Sequence, residues 1–201
     1  MKEYQHEFLN CTGYNKKPNN IKRTLFLDIE YKNQIAGAKY KFHEDIVWSD
    51  DYKIDVVCVG YNPALAEENI DHSNKRIIKA LNSDDCILGK KYGYYLYNLF
   101  PEIAATAPQV NQDSPTNKSF FKNSIVSFIN SNKELKVIVF FGRSIQIPSE
   151  VIVFLNTLVK EDRLYMTVHN SKFTHPGSNG DVKIMKVSSV GTLDVVCAIL
   201  T

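Results

Sequence analysis

A chain of 201 residues is most simply one domain, long enough to bury roughly 70% of the surface its unfolded form exposes. Its 24 basic and 22 acidic residues leave a net charge of +2, which excludes a global polyanion-binding character but permits a local basic face. Four scattered cysteines without C-x-x-C spacing argue against a zinc site or disulfide framework, and no window approaches the roughly 20 apolar residues of a membrane span, so a cytoplasmic protein without metal or cofactor is expected.

Residues 1–24 are polar and rich in Asn and Lys, and read as a loosely held lead-in. From 25 to 48, "TLFLDIEYKN" and "AKYKFHEDIVW" alternate apolar and polar residues around "NQIAG", the pattern of an antiparallel hairpin with one wet face. We therefore divide the chain into an N-terminal, partly β extension over 1–50 and an α/β domain over 51–201, together one globular unit and a monomer.

Four short apolar runs follow: "IDVVCVG" (54–60), "YYLYNLF" (94–100), "KVIVFFG" (136–142) and "RLYMTVH" (163–169). They are too continuous for half-wet strands and too short for helices, so they read as strands buried on both faces. Helical patterns separate them. Ser73 can cap "NKRIIKALNS", "SFFKNSIVSFIN" spaces Phe121, Ile125, Phe128 and Ile129 along one face, and Ser149 can cap "EVIVFLNTLVK". This alternation predicts a three-layer α/β fold: a mainly parallel, four-stranded central sheet with helices on both faces, plus the N-terminal hairpin-like extension.

Ligands of such folds bind beyond the carboxyl ends of the strands. Those ends read Gly60-Tyr61-Asn62-Pro63, Asn98-Leu99-Phe100-Pro101, Phe141-Gly142-Arg143-Ser144 and, after the fourth strand, His175-Pro176-Gly177. Each motif alone is ordinary turn chemistry, with Pro63 biasing Asn62 toward an extended, held geometry. Together, at successive ends of one sheet, they point to a site. Asp71, Ser73 and Arg76 lie at a helix start where an anion would be welcomed, although capping explains them equally well. Glu67, Glu68 and Asp71 form an acidic loop beside it, one of which could act as a base or a metal ligand, with a solvated loop as the plain alternative. Arg143 and Lys172 are candidates for phosphate contact, with a solvated surface as the plain alternative.

The ordered series G-x-N-P, Asn closing the second strand, "FFG" and H-P-G resembles the uracil-DNA glycosylase superfamily over roughly residues 54–180. It is similar also to a bacterial and phage family, catalogued as a domain of unknown function, whose strand end reads N-P-S-T-A-D; the matching stretches are "NPALAE", "DHSNKR", "NLFPEIAATAP", "FG" and "HP". The resemblance implies a glycosylase-like fold and a site in which Asn62 positions the attacking water, Asn98 hydrogen-bonds the base edge, and His175 stabilises charge on the departing base. Tyr61 or Phe100 would supply a stacking wall. Ala64, Ala104 and Ala107 stand where that bacterial and phage family has hydroxyl or charged residues, and Gly177 replaces the serine of the glycosylase H-P-S. Asn62, being an amide, can orient water but cannot take its proton.

Two functional classes follow. One is a glycosylase-like hydrolase that recognises and excises an unusual or modified base from DNA. The other is a non-catalytic module that binds a nucleobase, nucleotide or nucleic acid on the same scaffold. Hydrolysis of a free nucleoside is a third, weaker reading.

Overall fold

The computed structural model describes residues 3–11, 15–28, 37–50, 53–63, 69–105, 109–141, 147–170, 172–177 and 180–188. In chain order the strands are β1 (Tyr4–Phe8), β2 (Lys22–Leu27), β3 (Lys41–Val47), β4 (Val56–Gly60), β5 (Gly93–Asn98), β6 (Lys136–Val139), β7 (Leu164–His169), β8 (Lys172–Phe173) and β9 (Lys183–Lys186). Helix α1 spans His72–Leu81. Helix α2 is composite: Pro115–Phe120 is α, Phe121–Val126 is π, and Ser127–Ser131 is α again. Helix α3 spans Ser149–Lys160.

The expectation of a four-stranded, mainly parallel sheet is overturned. Among the described residues, one mixed sheet of nine strands runs β1-β2-β3-β5-β4-β6-β7-β8, with β9 also paired to β7. Pairing is parallel at β5–β4, β4–β6 and β6–β7, but antiparallel at β1–β2, β2–β3, β3–β5, β7–β8 and β7–β9. The physical reason lies at the edges. A parallel core leaves unpaired backbone groups on its outer strands, and the chain covers both with its own segments. On one side β3 adds to β5 in the register His43↔Tyr97 to Val47↔Gly93. On the other, β9 folds back on the open edge of β7, while β8 pairs with the end of β7 on the β6 side, beyond the last β6 residue. The N-terminal strands thus complete the sheet, and the polar lead-in itself forms β1.

Side chains alternate along each central strand and build two cores. Val57, Val59, Tyr97, Val137 and Val139 face α2 and α3, where Phe121, Ile125, Ile129, Val151 and Leu155 pack on them. Val56, Cys58, Tyr94, Leu96 and Ile138 face α1, through Ile77, Ile78 and Leu81. Under the α1 face, Glu44 accepts from Arg23 Nε at 2.6 Å and from Lys41 Nζ at 2.9 Å, all three side chains being buried. Burial alone would raise the Glu44 carboxyl, but Lys41 and Arg23 hold it down to about 2. Arg23 also donates to the Asn69 carbonyl at 3.1 Å, which anchors the segment leading into α1.

Two helix starts differ from the spacing-based reading. Asp71, rather than Ser73, caps α1: its carboxylate accepts from the Asn74 N–H at 2.8 Å. At α3 the capping position is Pro148, and Ser149 is the first helical residue. Among the described residues no helix is long and apolar enough to cross a membrane.

Candidate functional site

The pleat decides which strand-end residues can meet. Gly60 and Asn98 are register partners on β4 and β5, so both point to the α1 face. Phe140, one residue past β6, belongs to the same face as Ile138. A methyl group on Gly60 would sit 2.6 Å from Asn98 Oδ1 and 2.8 Å from Phe140 Cε2, so only glycine lets these two side chains close over the strand end. Asn98 is only 5% exposed, and its side-chain amide has no hydrogen-bond partner among the described residues.

The His175-Pro176-Gly177 turn approaches this point from the other side. The His175 ring lies 5.8 Å from the Phe140 ring, centroid to centroid. Its Nδ1 accepts from the Gly177 N–H at 2.9 Å, which leaves Nε2 as the ring's N–H donor in the neutral form. Burial pushes the imidazole pKa below its ordinary value; Asp71 pulls upward and Arg76 adds to the depression. The histidine is therefore a neutral donor at physiological pH. Arg76 donates from Nη1 to the Pro176 carbonyl at 2.6 Å and so clamps the turn to α1. Gly177 lets the turn close on the His175 ring and on Ser73: a methyl group there would lie 2.8 Å from His175 Nδ1 and 3.2 Å from Ser73 Oγ.

Asp71 stands at the same helix start, with both carboxylate oxygens engaged. Oδ1 accepts from the Asn74 backbone and Oδ2 from Asn74 Nδ2 at 3.1 Å, while Asn74 Oδ1 accepts from the Tyr94 hydroxyl at 2.6 Å. This chain holds Asp71 in place and takes one acceptor site on each of its carboxylate oxygens.

The structure thus sets Asn98 and His175 beside Phe140, and sets the His175 turn against the start of α1, which carries Asp71, Ser73 and Arg76. It does not gather all the expected residues. Tyr61 and Phe100 pack edge-to-face at 5.1 Å in the core on the opposite sheet face, where the Tyr61 hydroxyl accepts from Gln112 at 2.6 Å. They cannot stack on a ligand held by Asn98. Asn62 donates from Nδ2 to the Ala104 carbonyl at 2.8 Å, joining the loops after β4 and β5. Lys172 lies exposed in β8 opposite His169. Arg143, Glu67, Glu68, Ala64, Ala107 and Gly142 lie outside the described residues. Phe140 is the site residue that motif reading missed; strand alternation from Ile138 would have placed it beside Asn98.

Comparison with protein-family models, with curated proteins and with solved structures finds no match.

Proposed function

We propose that the chain holds a single nucleobase at Asn98 and Phe140 and acts as a glycosylase-like hydrolase, excising an unusual or modified base from DNA. The observation that carries this reading is Asn98 at the carboxyl end of β5, a residue only 5% exposed whose side-chain amide has no hydrogen-bond partner among the described residues. A ligand edge offering an acceptor beside a donor would engage both halves of that amide, at about 0.5–1.5 kcal/mol per hydrogen bond. Nucleobase edges have that pattern. The Phe140 ring suits a flat partner, and a base within a duplex would have to leave the stack to reach it.

In hydrolysis the C1′–N bond breaks and its electron pair departs with the base. A water oxygen bonds C1′; one water proton ends on the base. His175 acts as a neutral donor to a base oxygen as negative charge grows there, a contribution of about 3 kcal/mol for a well-placed donor. Asn62 has Nδ2 committed to Ala104, and the hydrolase reading requires its Oδ1 to orient a water that reaches C1′ of a base held at Asn98.

The second reading, recognition without cleavage, draws on the same hydrogen bonds. Asn62 is partly spent on holding two loops, and Asp71 is spent on capping α1. The two readings separate in one assay. Release of free base is followed from single- and double-stranded DNA carrying uracil, hypoxanthine or hydroxymethyluracil, with wild type beside Asn98→Ala and His175→Ala. Release that both substitutions abolish supports the hydrolase. Binding without release, weakened by Asn98→Ala, supports the recognition module. Neither release nor binding would sink both.

A further inference from the structure

A second group of unpartnered polar side chains lies on the opposite sheet face, at its antiparallel half. His43 on β3 and Tyr97 on β5 are register partners. Their rings stack at 5.1 Å and 13°, and His43 is stacked on its other side by Phe26 at 3.7 Å. Phe128 of α2 flanks Tyr97 at 5.3 Å. Tyr97 is 6% exposed, yet neither its hydroxyl nor the His43 ring nitrogens have a hydrogen-bond partner among the described residues. His43, Tyr97 and Phe128 line a cleft of about 350 Å³ between the sheet and α2.

The opposite wall of this cleft comes from the π turn and the α turn that follows. Ser124, Ser127 and Ser131 face it, and their hydroxyls make no hydrogen bond among the described residues. π turns inside helices recur at functional sites. The described lining contains no lysine or arginine, and its one charged residue is Glu3. Burial holds His43 down to about 4, so its ring is neutral at physiological pH and offers one donor and one acceptor. Apart from Glu3 the described lining is thus uncharged, rich in groups that both donate and accept, and backed by the apolar ring of Phe128.

We infer that this cleft is a second ligand site, separate from the Asn98 site, and that it takes a neutral polyhydroxylated ring of the mono- or disaccharide class. Such a ligand lays its C–H face on Phe128 and exchanges hydrogen bonds with Tyr97, His43 and the serine hydroxyls. An anionic ligand would meet Glu3 with no cation among the described lining residues to answer it. The size falls within the roughly 300–1,000 Å³ of ordinary small-molecule pockets.

The test is an NMR titration of ¹⁵N-labelled full-length protein with maltose, cellobiose and N-acetylglucosamine, with choline and AMP as cationic and anionic controls. The expected result is saccharide-induced shifts at the Tyr97, Ser124 and Ser127 amides. Tyr97→Phe, which removes only the hydroxyl, should weaken that binding about tenfold, as loss of one buried hydrogen bond implies. Ser127→Ala, at an exposed helix position, should weaken it less and leave the fold intact; Asn98→Ala should leave it unchanged. No saccharide shifts at these amides would overturn the inference. So would shifts from choline or AMP alone, or saccharide binding that neither cleft substitution weakens.

Discussion

The Asn62 side chain donates to the Ala104 carbonyl at 2.8 Å, and the Ala104 N–H returns a bond to the Pro63 carbonyl at 3.2 Å. The rigid amide after β4 therefore fastens two strand-end loops together. Holding a water would be a second task for the same side chain, carried by Oδ1 alone.

Asn62→Asp separates the two tasks. A catalytic carboxylate would ordinarily speed hydrolysis, because it can take the water's proton. Here the substitution removes the donor to Ala104 and sets a carboxylate against a carbonyl oxygen. We expect a loss of about 1–3 kcal/mol in urea unfolding and no gain in base release. A variant as stable as wild type and faster in turnover would show that the Ala104 bond is dispensable.

Gly60→Ala probes the closure of the Asn98 site. The new methyl group would meet Asn98 Oδ1 at 2.6 Å and the Phe140 ring at 2.8 Å. Both side chains must shift, at a cost of about 1–3 kcal/mol typical of overpacking. Ligand binding at Asn98 should fall at least as far as in Asn98→Ala, and circular dichroism should report a folded chain. Unchanged binding would mean that Asn98 and Phe140 do not define the pocket together.

Much of this frame was legible because burial writes itself into sequence. The continuous apolar run ending at Gly60 is a strand with every residue buried, and the runs at 94–100, 136–142 and 163–169 also contain strands. What stayed hidden was the company those strands keep. β1 contributes only one half-buried face, and β8 has two residues, too few to show a period. β2 and β3 show the expected alternation, but their inward set includes Arg23 and Glu44, which read as a wet face until they are seen paired with each other. Motif reading drew attention to Asn98 and His175, which both stand beside Phe140; Tyr61 it misplaced by a single-residue parity, and Phe100 because alternation lapses after β5 ends at Asn98, so that Leu99 and Phe100 both join the opposite core. Odd and even positions of a strand face opposite layers, so the aromatic beside Asn98 had to come from another strand.

The Arg23–Glu44–Lys41 cluster should be fragile to half-removal. Glu44→Gln leaves two buried cations facing a neutral amide. Breaking a buried ion pair from one side typically costs about 3–5 kcal/mol. Arg23 also bonds the Asn69 carbonyl, close to the Asp71 cap, so hydrogen exchange at the first turn of α1 should quicken in Arg23→Met. Protection of α1 equal to wild type in that variant would disconnect the cluster from the helix start.

His43 and Asp45 set up opposite pH dependences on one strand face. Burial, with a smaller push from Glu44, raises the Asp45 carboxyl to about 6, and its Oδ1 is buried without a hydrogen-bond partner. Burial lowers the His43 imidazole to about 4. Between its ordinary value of about 4 and its folded value, Asp45 binds more protons folded than unfolded, so stability falls as pH rises through that window. His43 does the reverse. Its ordinary value is about 6.5, so the unfolded chain takes up its proton first, and the stability it gives above that pH is lost as pH falls toward its folded value. In wild type the two slopes oppose each other. Asp45→Asn removes one of them: its stability should rise with pH from about 4 to about 6.5, ending about 1–2 kcal/mol above wild type at neutral pH. His43→Phe keeps a ring between Phe26 and Tyr97 and removes the other, so its stability should fall with pH over the lower part of that range. Urea midpoints measured across these pH values give both differences, and contributions from other groups, such as His175, cancel against wild type. Parallel profiles for all three proteins would mean that neither buried group titrates as the packing of this face requires.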